Sequence, residues 1–566
     1  MPGHEAGDAC RALEPFVTTK MERLEGLGLP IVQRFAEEAD AQNKIESELK
    51  VGTTATLWLP ISESRGRRRR FWSSARGHAS QLSRRAPPSI EERLQMSGRL
   101  SYTPKSRFAQ WLDARLPLPR LIHDQFIAFQ TPRNLNVWYT FGAILAFCLG
   151  IQIVTGIVLA MHYAANAELA FDAIEHIMRD VNYGWLIRSI HANGASMLVI
   201  ALYIHMFSGL CYGSYKAPRE LLWIIGVIIY LLMMAIAFLG YVLPWSQTSF
   251  WGATVIINLF SSIPVVGPYI TTWLQGDFAV GAATLNHFFA LHYRLPFILV
   301  GVVALHIWAL HVAGNNNPVG VEVGSGEDTV PFHPYYTIKD TFYVTLFVIA
   351  FAYFVFFTPD FFASPNNYEP ADRLKTPPDI VPEWYFLPFY AMLRAIPHKL
   401  SGVIVMTGAI LTLFFVPWLD TSPTRSNRFR PLMKRLFWGL VIASVLLAYC
   451  GAQPADAVVG GVPVAWIARL ATLYYFGFFW LIMPLIAMIE VPDKLPASIA
   501  HQCTLVPSRR TFTVPSCGPR TELSGQPHPQ TRDRRRSSEP PDVDVHQLFE
   551  NPRRAPRCSA SPQRRI

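Results

Sequence analysis

From residue 137 onward the chain is built of long apolar runs separated by short polar connections. Eight runs are candidates for helices that cross the ~30 Å hydrocarbon layer of a bilayer. They span roughly 137–162, 186–211, 221–243, 288–313, 341–357, 402–418, 437–450 and 466–489, the seventh being the shortest. The connection 245–284 alternates Gly, Pro and aromatic residues and is apolar enough to lie along the membrane as short helices. Residues 107–130 carry amphipathic patches with Trp111 and Phe126, which suits a helix at the interface. The two ends read differently. Residues 1–95, with RGRRRR at 65–70, and residues 496–566, with RDRRRSSEPP, are too polar to bury a core and are expected to be basic, disordered extensions. No secretory h-region with a cleavage site is seen near the N-terminus, and Met96 opens the more coherent sequence. The expected fold is an all-α membrane protein of eight transmembrane helices. Its domains are 96–330 (four helices) and 331–495 (four helices), flanked by the two extensions.

Composition agrees: of 566 residues, 51% are hydrophobic and 13% aromatic, and the mean hydropathy is positive despite both polar ends. The net charge of +10 would suit a nucleic-acid binder, but the basic residues sit in the tails and in particular connections. Lys216 and Arg219, Lys339, and the group Arg425, Arg428, Arg430, Lys434 and Arg435 all fall on one side if there are eight spans. The third connection has no Lys or Arg between Arg219 and Arg294. Only the fifth, with Arg373, Lys375 and Arg394, departs from the positive-inside pattern. The charge is therefore topological, and no nucleic-acid partner is expected. Seven cysteines form no CxxC, CxxCH or zinc spacing. That argues against a disulfide framework, a c-type haem and iron–sulfur ligation by this chain.

Histidine carries the chemistry. His191 and His205 lie 14 residues apart in the second run, and His292 and His306 repeat the spacing in the fourth. Fourteen helical residues rise about 21 Å and turn about 1400°, close to four full turns. Each pair thus shares one helix face, with one member near each edge of the bilayer. The second and fourth runs point the same way, so His191 pairs with His292 on the outer side and His205 with His306 on the inner. A membrane-embedded histidine is costly and usually functional. Two matched pairs predict two stacked bis-histidine haems, which pass electrons because both axial positions are filled. Glycines repeat the period: Gly142 and Gly156 in the first run, Gly226 and Gly240 in the third. They predict a di-haem four-helix bundle in which flat macrocycles press against bare backbone.

HANGAS at 191–196, the two histidine pairs, GYVLPWSQTSFWGATVI at 240–256 and PEWY at 382–385 together resemble cytochrome b of the respiratory cytochrome bc complexes, in particular the bacterial quinol–cytochrome c reductases. The resemblance covers about 105–495. It implies two non-covalent b-type haems, an outer one of low potential and an inner one of high potential, and an electron path across the membrane of the bacterial cell. It implies an outer quinol-oxidation site in which Glu383 accepts a proton and Tyr241 and Tyr390 line the pocket, with Phe238, Gly252, Pro382, Trp384 and Tyr385 contributing. It also implies an inner quinone-reduction site at His311, Lys339 and Asp340, and a propionate contact from Arg188. The partners implied are ubiquinol and ubiquinone, a Rieske-type iron–sulfur protein, a c-type cytochrome subunit and a second copy in a dimeric complex, all in the bacterial inner membrane and coupled to proton translocation. Four positions depart from the family pattern: Ser208 and His287 stand where arginine is usual, Asn315 where a small hydroxyl residue is usual, and Arg294 where an apolar residue is usual. Two other functions fit parts of the pattern. A di-haem electron conduit anchoring a dehydrogenase keeps the histidines but has no need of PEWY or the last four runs. A transporter calls for broken helices and charged midplane residues and gives no reason for histidines 14 apart.

Overall fold

The computed structural model describes residues 42–48, 52–58, 102–378, 380–454 and 456–500. The rest of the two expected basic extensions lies outside the described residues. Residues Gln42–Glu48 and Gly52–Trp58 form an antiparallel hairpin, pairing Gln42 with Trp58.

Among the described residues, eight helices are long and apolar enough to cross a membrane: Val137–Ala160, Gly184–Tyr212, Glu220–Val242, Ala282–Ala313, Phe332–Phe356, Lys399–Leu419, Pro431–Ala452 and Val464–Ile489, here the first to eighth spans. The fourth, fifth and seventh begin six to nine residues earlier than their apolar runs. Helical hydrogen bonding continues through polar residues such as Asn286, Lys339, Asp340 and Lys434 after hydropathy has fallen. Apolar runs measure the bilayer, and the helix outlasts it. The first span packs along the second and the third along the fourth. The fifth span lies on the first and second, the sixth on the third, and the seventh on the eighth. A hydrophobic core joins the two halves, running from Leu202, Tyr230 and Met233 to Ala409, Phe437 and Phe479.

The connection after the third span forms two helices, Gln247–Phe260 and Gly267–Gln275. Entry to the first requires Trp245 at φ 54, an uncommon conformation for a non-glycine residue. Here it turns the chain so that the Trp245 carbonyl accepts from Ala371 N (3.1 Å) while Gln247 N donates to Glu369 O (2.9 Å). The connection after the fifth span, Phe357 to Phe386, is thereby laid beside these helices. On the opposite side, the strand Gln130–Pro132 pairs with Thr329–Pro331, fastening the segment before the first span to the start of the fifth.

The same side holds a buried ion cluster. Asp420 Oδ2 accepts from Arg430 Nη1 (2.7 Å), Tyr215 Oη (2.7 Å) and Lys216 Nζ (2.9 Å). Arg430 Nε faces Glu490 Oε2 at 3.4 Å, and Glu490 Oε1 caps the seventh span by accepting from Leu432 N and Met433 N. Burial pushes the Asp420 carboxyl up, but Lys216 and Arg430 together hold it below the usual carboxylate range. Lys216 faces a single carboxylate, and burial takes it down to about 8.

Candidate functional site

The histidines converge in the pairs expected from helix direction. The His191 and His292 rings are 6.2 Å apart centre to centre and nearly perpendicular. Two imidazoles bound on opposite sides of one metal, at roughly 2 Å each, place their ring centres about 6 Å apart. No cluster of three or more His, Cys, Asp or Glu that could hold a metal ion occurs among the described residues. An iron at this pair therefore needs its other ligands from a macrocycle, and a cavity of about 700 Å³ is there to take one. His191, His292, Gly156, Gly240, Arg188 and Glu383 are among its lining residues. The residues present fit a haem.

The glycines serve the histidines in a way the spacing did not reveal. A Cβ on Gly240 would lie 2.4 Å from His292 Cε1, on Gly156 3.1 Å from His191, on Gly226 3.3 Å from His306, and on Gly142 3.7 Å from His205. Bare backbone thus meets the edge of an imidazole ring. A ring that close can also reach the carbonyl one turn earlier: His292 Nδ1 donates to Ile236 O at 2.9 Å, four residues before Gly240. Thr155 Oγ1 donates to Ile151 O (2.7 Å), so it accepts from His191 Nδ1 at 2.9 Å. Both outer histidines therefore carry the proton on Nδ1, which leaves Nε2 as the free ligand atom. The inner pair differs in one member: His306 bonds to the Leu222 backbone, four residues before Gly226, repeating the outer arrangement, whereas His205 Nδ1 closes no hydrogen bond. Fourteen residues before Thr155 stands Phe141, which has no hydroxyl to offer.

On the outer side the cavity brings together Glu383, Tyr241 and Tyr385 with Arg188 and the outer histidines. Glu383 is extended (φ −50, ψ 145) at the start of a 3-10 turn, Trp384–Phe386. Burial raises its carboxyl to about 7, against the opposing pull of Arg188. Tyr241 Oη donates to Asn367 Oδ1 at 3.3 Å, and Gly252 faces the Tyr241 ring at 4.0 Å. The remaining expected residues surround the cavity without lining it. Tyr390 donates to Ile380 O and stacks under Arg394. Phe238 packs edge-on against Phe288. Trp384 Nε1 donates to Ser196 Oγ at 3.1 Å, and Pro382 precedes Glu383 in the chain without entering the lining.

At the inner side His311, Lys339 and Asp340 reach one N-terminal segment rather than one another. His311 Nδ1 donates to Gln125 Oε1 and stacks on Phe129 (4.1 Å). Lys339 Nζ donates to the Leu135 carbonyl, and Asp340 Oδ1 accepts from Thr140 Oγ1 at 3.0 Å. Gln125, Phe129 and Thr140 escaped the reading of the sequence, although the amphipathic pattern of 107–130 already placed that segment at the interface. Of the four unusual positions, Ser208 bonds back to the His205 carbonyl (2.9 Å), and His287 packs against Gly276. The Asn315 carbonyl accepts from Arg219, and Arg294 is exposed on the fourth span.

Family models match residues 126–314 as Cytochrome b/b6/petB and residues 370–476 as Cytochrome b(C-terminal)/b6/petD. The cytochrome b of Rhodospirillum rubrum is 55% identical over 406 residues, 71% of this chain and 99% of that one. The cytochrome b/c1 of Bradyrhizobium diazoefficiens is 57% identical over 406 residues, and the chain spans only 58% of that longer protein. Among solved structures, a chain of a hyperthermophilic respiratory Complex III superposes with a TM-score of 0.63 at 35% identity, covering 68% of this chain and 99% of that one. With its histidine pairs, its eight spans and these relatives, the chain belongs to the cytochrome b family of the respiratory complex III type.

Proposed function

We propose that this chain is the haem-bearing subunit that oxidises quinol on the outer side of the bacterial inner membrane and reduces quinone on the inner side. The observation that carries the reading is the shared cavity. It sets a carboxyl with a pKa of about 7 beside the outer histidine pair, so a proton acceptor and an electron acceptor meet one substrate. Two b-type haems, held by His191 with His292 and by His205 with His306, would supply single-electron transfer across the membrane. The asymmetry of the Nδ1 partners supports an outer haem of lower potential. A hydrogen-bonded imidazole is the more basic ligand and stabilises the oxidised metal; both outer histidines are so bonded, whereas of the inner pair His306 is bonded to Leu222 and His205 is not.

Glu383 takes the quinol proton, and Tyr241 and Tyr385 shape the pocket; Arg188 would pair with the carboxylates of the outer haem. On the inner side, His311 and Asp340 deliver protons to the reduced quinone, and Lys339 attracts its oxygens electrostatically. Proton release outside and uptake inside couple the reaction to translocation. A Rieske-type iron–sulfur protein takes the other electron toward a c-type cytochrome subunit, in a dimeric complex.

The test is a reduced-minus-oxidised spectrum of the purified complex with quinol as reductant. Two b-type signals reduced by quinol, and lost as a rate but not as a pigment in Glu383→Gln, are expected. Haem that quinol does not reduce would favour the simple conduit.

A further inference from the structure

HANGAS contains a haem ligand, and its other polar residues, Asn193 and Ser196, sit at the cavity edge but spend their hydrogen bonds on the connection that carries Glu383. Both are buried. Asn193 Nδ2 donates to the Pro359 carbonyl at 3.0 Å, where the connection leaves the fifth span. Ser196 Oγ accepts from Trp384 Nε1 at 3.1 Å, and Tyr203 Oη donates to the Tyr385 carbonyl at 2.6 Å, where that connection ends. At 100° per residue, Asn193, Ser196 and Tyr203 fall within about 80° of one another, on the side of the helix opposite His191 and His205. One helix thus grips the outer haem position with one face and both ends of the Glu383 loop with the other.

We propose that Asn193, Ser196 and Tyr203 are positioning residues for quinol oxidation, fixing the loop so that the Glu383 carboxyl and the His191–His292 pair meet the same quinol. This rests on the reading of the cavity as the quinol-oxidation site. Proton transfer needs the acceptor within hydrogen-bond reach of its donor, and a misplacement of about 1 Å can cost as much as a hundredfold in rate. The three contacts come from a rigid helix, so they fix the loop to the same frame as the metal ligands.

The experiment uses the whole complex carrying Ser196→Ala, Trp384→Phe, both together, and Tyr203→Phe. For Ser196→Ala the expected result is a kcat for quinol oxidation lowered roughly five- to tenfold, as loss of one hydrogen bond implies, with KM little changed. The haem spectrum and outer-haem potential should stay at their wild-type values. The acid limb of the pH profile should move to lower pH, because a loosened loop admits water to Glu383 while Arg188, Tyr241 and Tyr385 still face it. Trp384→Phe should match, and the double variant should be no slower than either single one. Tyr203→Phe removes only a hydroxyl and should give the same signature, which keeps the test available if Ser196→Ala fails to assemble. Wild-type kinetics and pH limb in Ser196→Ala and Tyr203→Phe would overturn the inference. So would multiplying effects in the double variant, or haem loss in step with activity. If Glu383→Gln oxidises quinol at the wild-type rate, the site itself has been misread. If it is inactive while both tether variants are normal, only the tethering role is refuted.

Discussion

Replacing Gly240 by alanine probes the tightest of the four glycine–histidine approaches. The added Cβ would stand 2.4 Å from His292 Cε1, 2.9 Å from Nδ1 and 3.0 Å from Nε2. That is roughly 1 Å inside the 3.5 Å at which carbon atoms begin to rest against each other. The ring cannot yield without breaking the bond from Nδ1 to Ile236 O. Forced overpacking costs about 1–3 kcal/mol and a lost hydrogen bond about 1 kcal/mol more. Alanine's better helix propensity returns at most ~1 kcal/mol. The net, roughly 1–3 kcal/mol against a correctly placed ligand, corresponds to about a 5- to 150-fold loss of outer-haem retention at 1.4 kcal/mol per decade. Gly142→Ala is the control, since its Cβ would rest at an ordinary 3.7 Å from His205, leaving only the propensity gain. Gly156→Ala (3.1 Å) and Gly226→Ala (3.3 Å) should fall between. The assay is the amplitude of each b-type signal in reduced-minus-oxidised spectra of purified complex, scaled to protein. Full outer-haem content in Gly240→Ala, or a greater loss in Gly142→Ala, would refute the steric argument.

Other outcomes follow from the same contacts. Quinol oxidation should rise with pH through about 7 and level off above it, since Glu383 accepts a proton only as the carboxylate and burial raises its pKa to about 7; an initial-rate pH series in wild type and Glu383→Gln checks this, the variant losing the limb. Thr155→Val removes the hydroxyl that accepts from His191 Nδ1 and should raise the outer-haem midpoint by roughly 20–45 mV, about 1 kcal/mol or less for one electron, as read by redox titration. Asp420→Asn leaves Lys216 and Arg430 without their shared carboxylate and should destabilise the fold by about 3–5 kcal/mol, seen as a lower thermal midpoint in detergent. Because the folded-state pKa of Asp420 is depressed, its contribution is fully present above the ordinary carboxylate range and lost as pH falls through the folded value. Thermal midpoints should therefore drop in acid for wild type and less steeply for the variant.

The spans and histidine pairs were legible because the bilayer and the helix each impose a period that a sequence must obey. The 14-residue spacing needs no tertiary knowledge to become two stacked sites. The role of Gly240 was only half legible. Its period said that something flat passes close by, but whether that is a macrocycle or an imidazole edge depends on the rotation of neighbouring helices, which no single run encodes. Trp384 and Ser196 lie 188 residues apart, and nothing local in either segment names the other. The inner site shows the same limit: His311, Lys339 and Asp340 could be picked out by type, whereas Gln125 and Thr140, ordinary residues of an interfacial segment, gain their partners only when the 130–132 and 329–331 strands pair.

The ion cluster around Arg430 also bears on how the chain is made. Its carboxylates come from the end of the sixth span and the far end of the eighth, and its lysine from the connection before the third. As the chain emerges, Arg430 meets Asp420 at once, but the seventh span has no cap until Glu490 arrives 58 residues after Leu432. The last turn of the last span therefore completes the seventh. A chain that stops short of residue 490 leaves an uncapped helix and an underpaired guanidinium at the membrane surface, so completeness of synthesis is written into the closing of one knot.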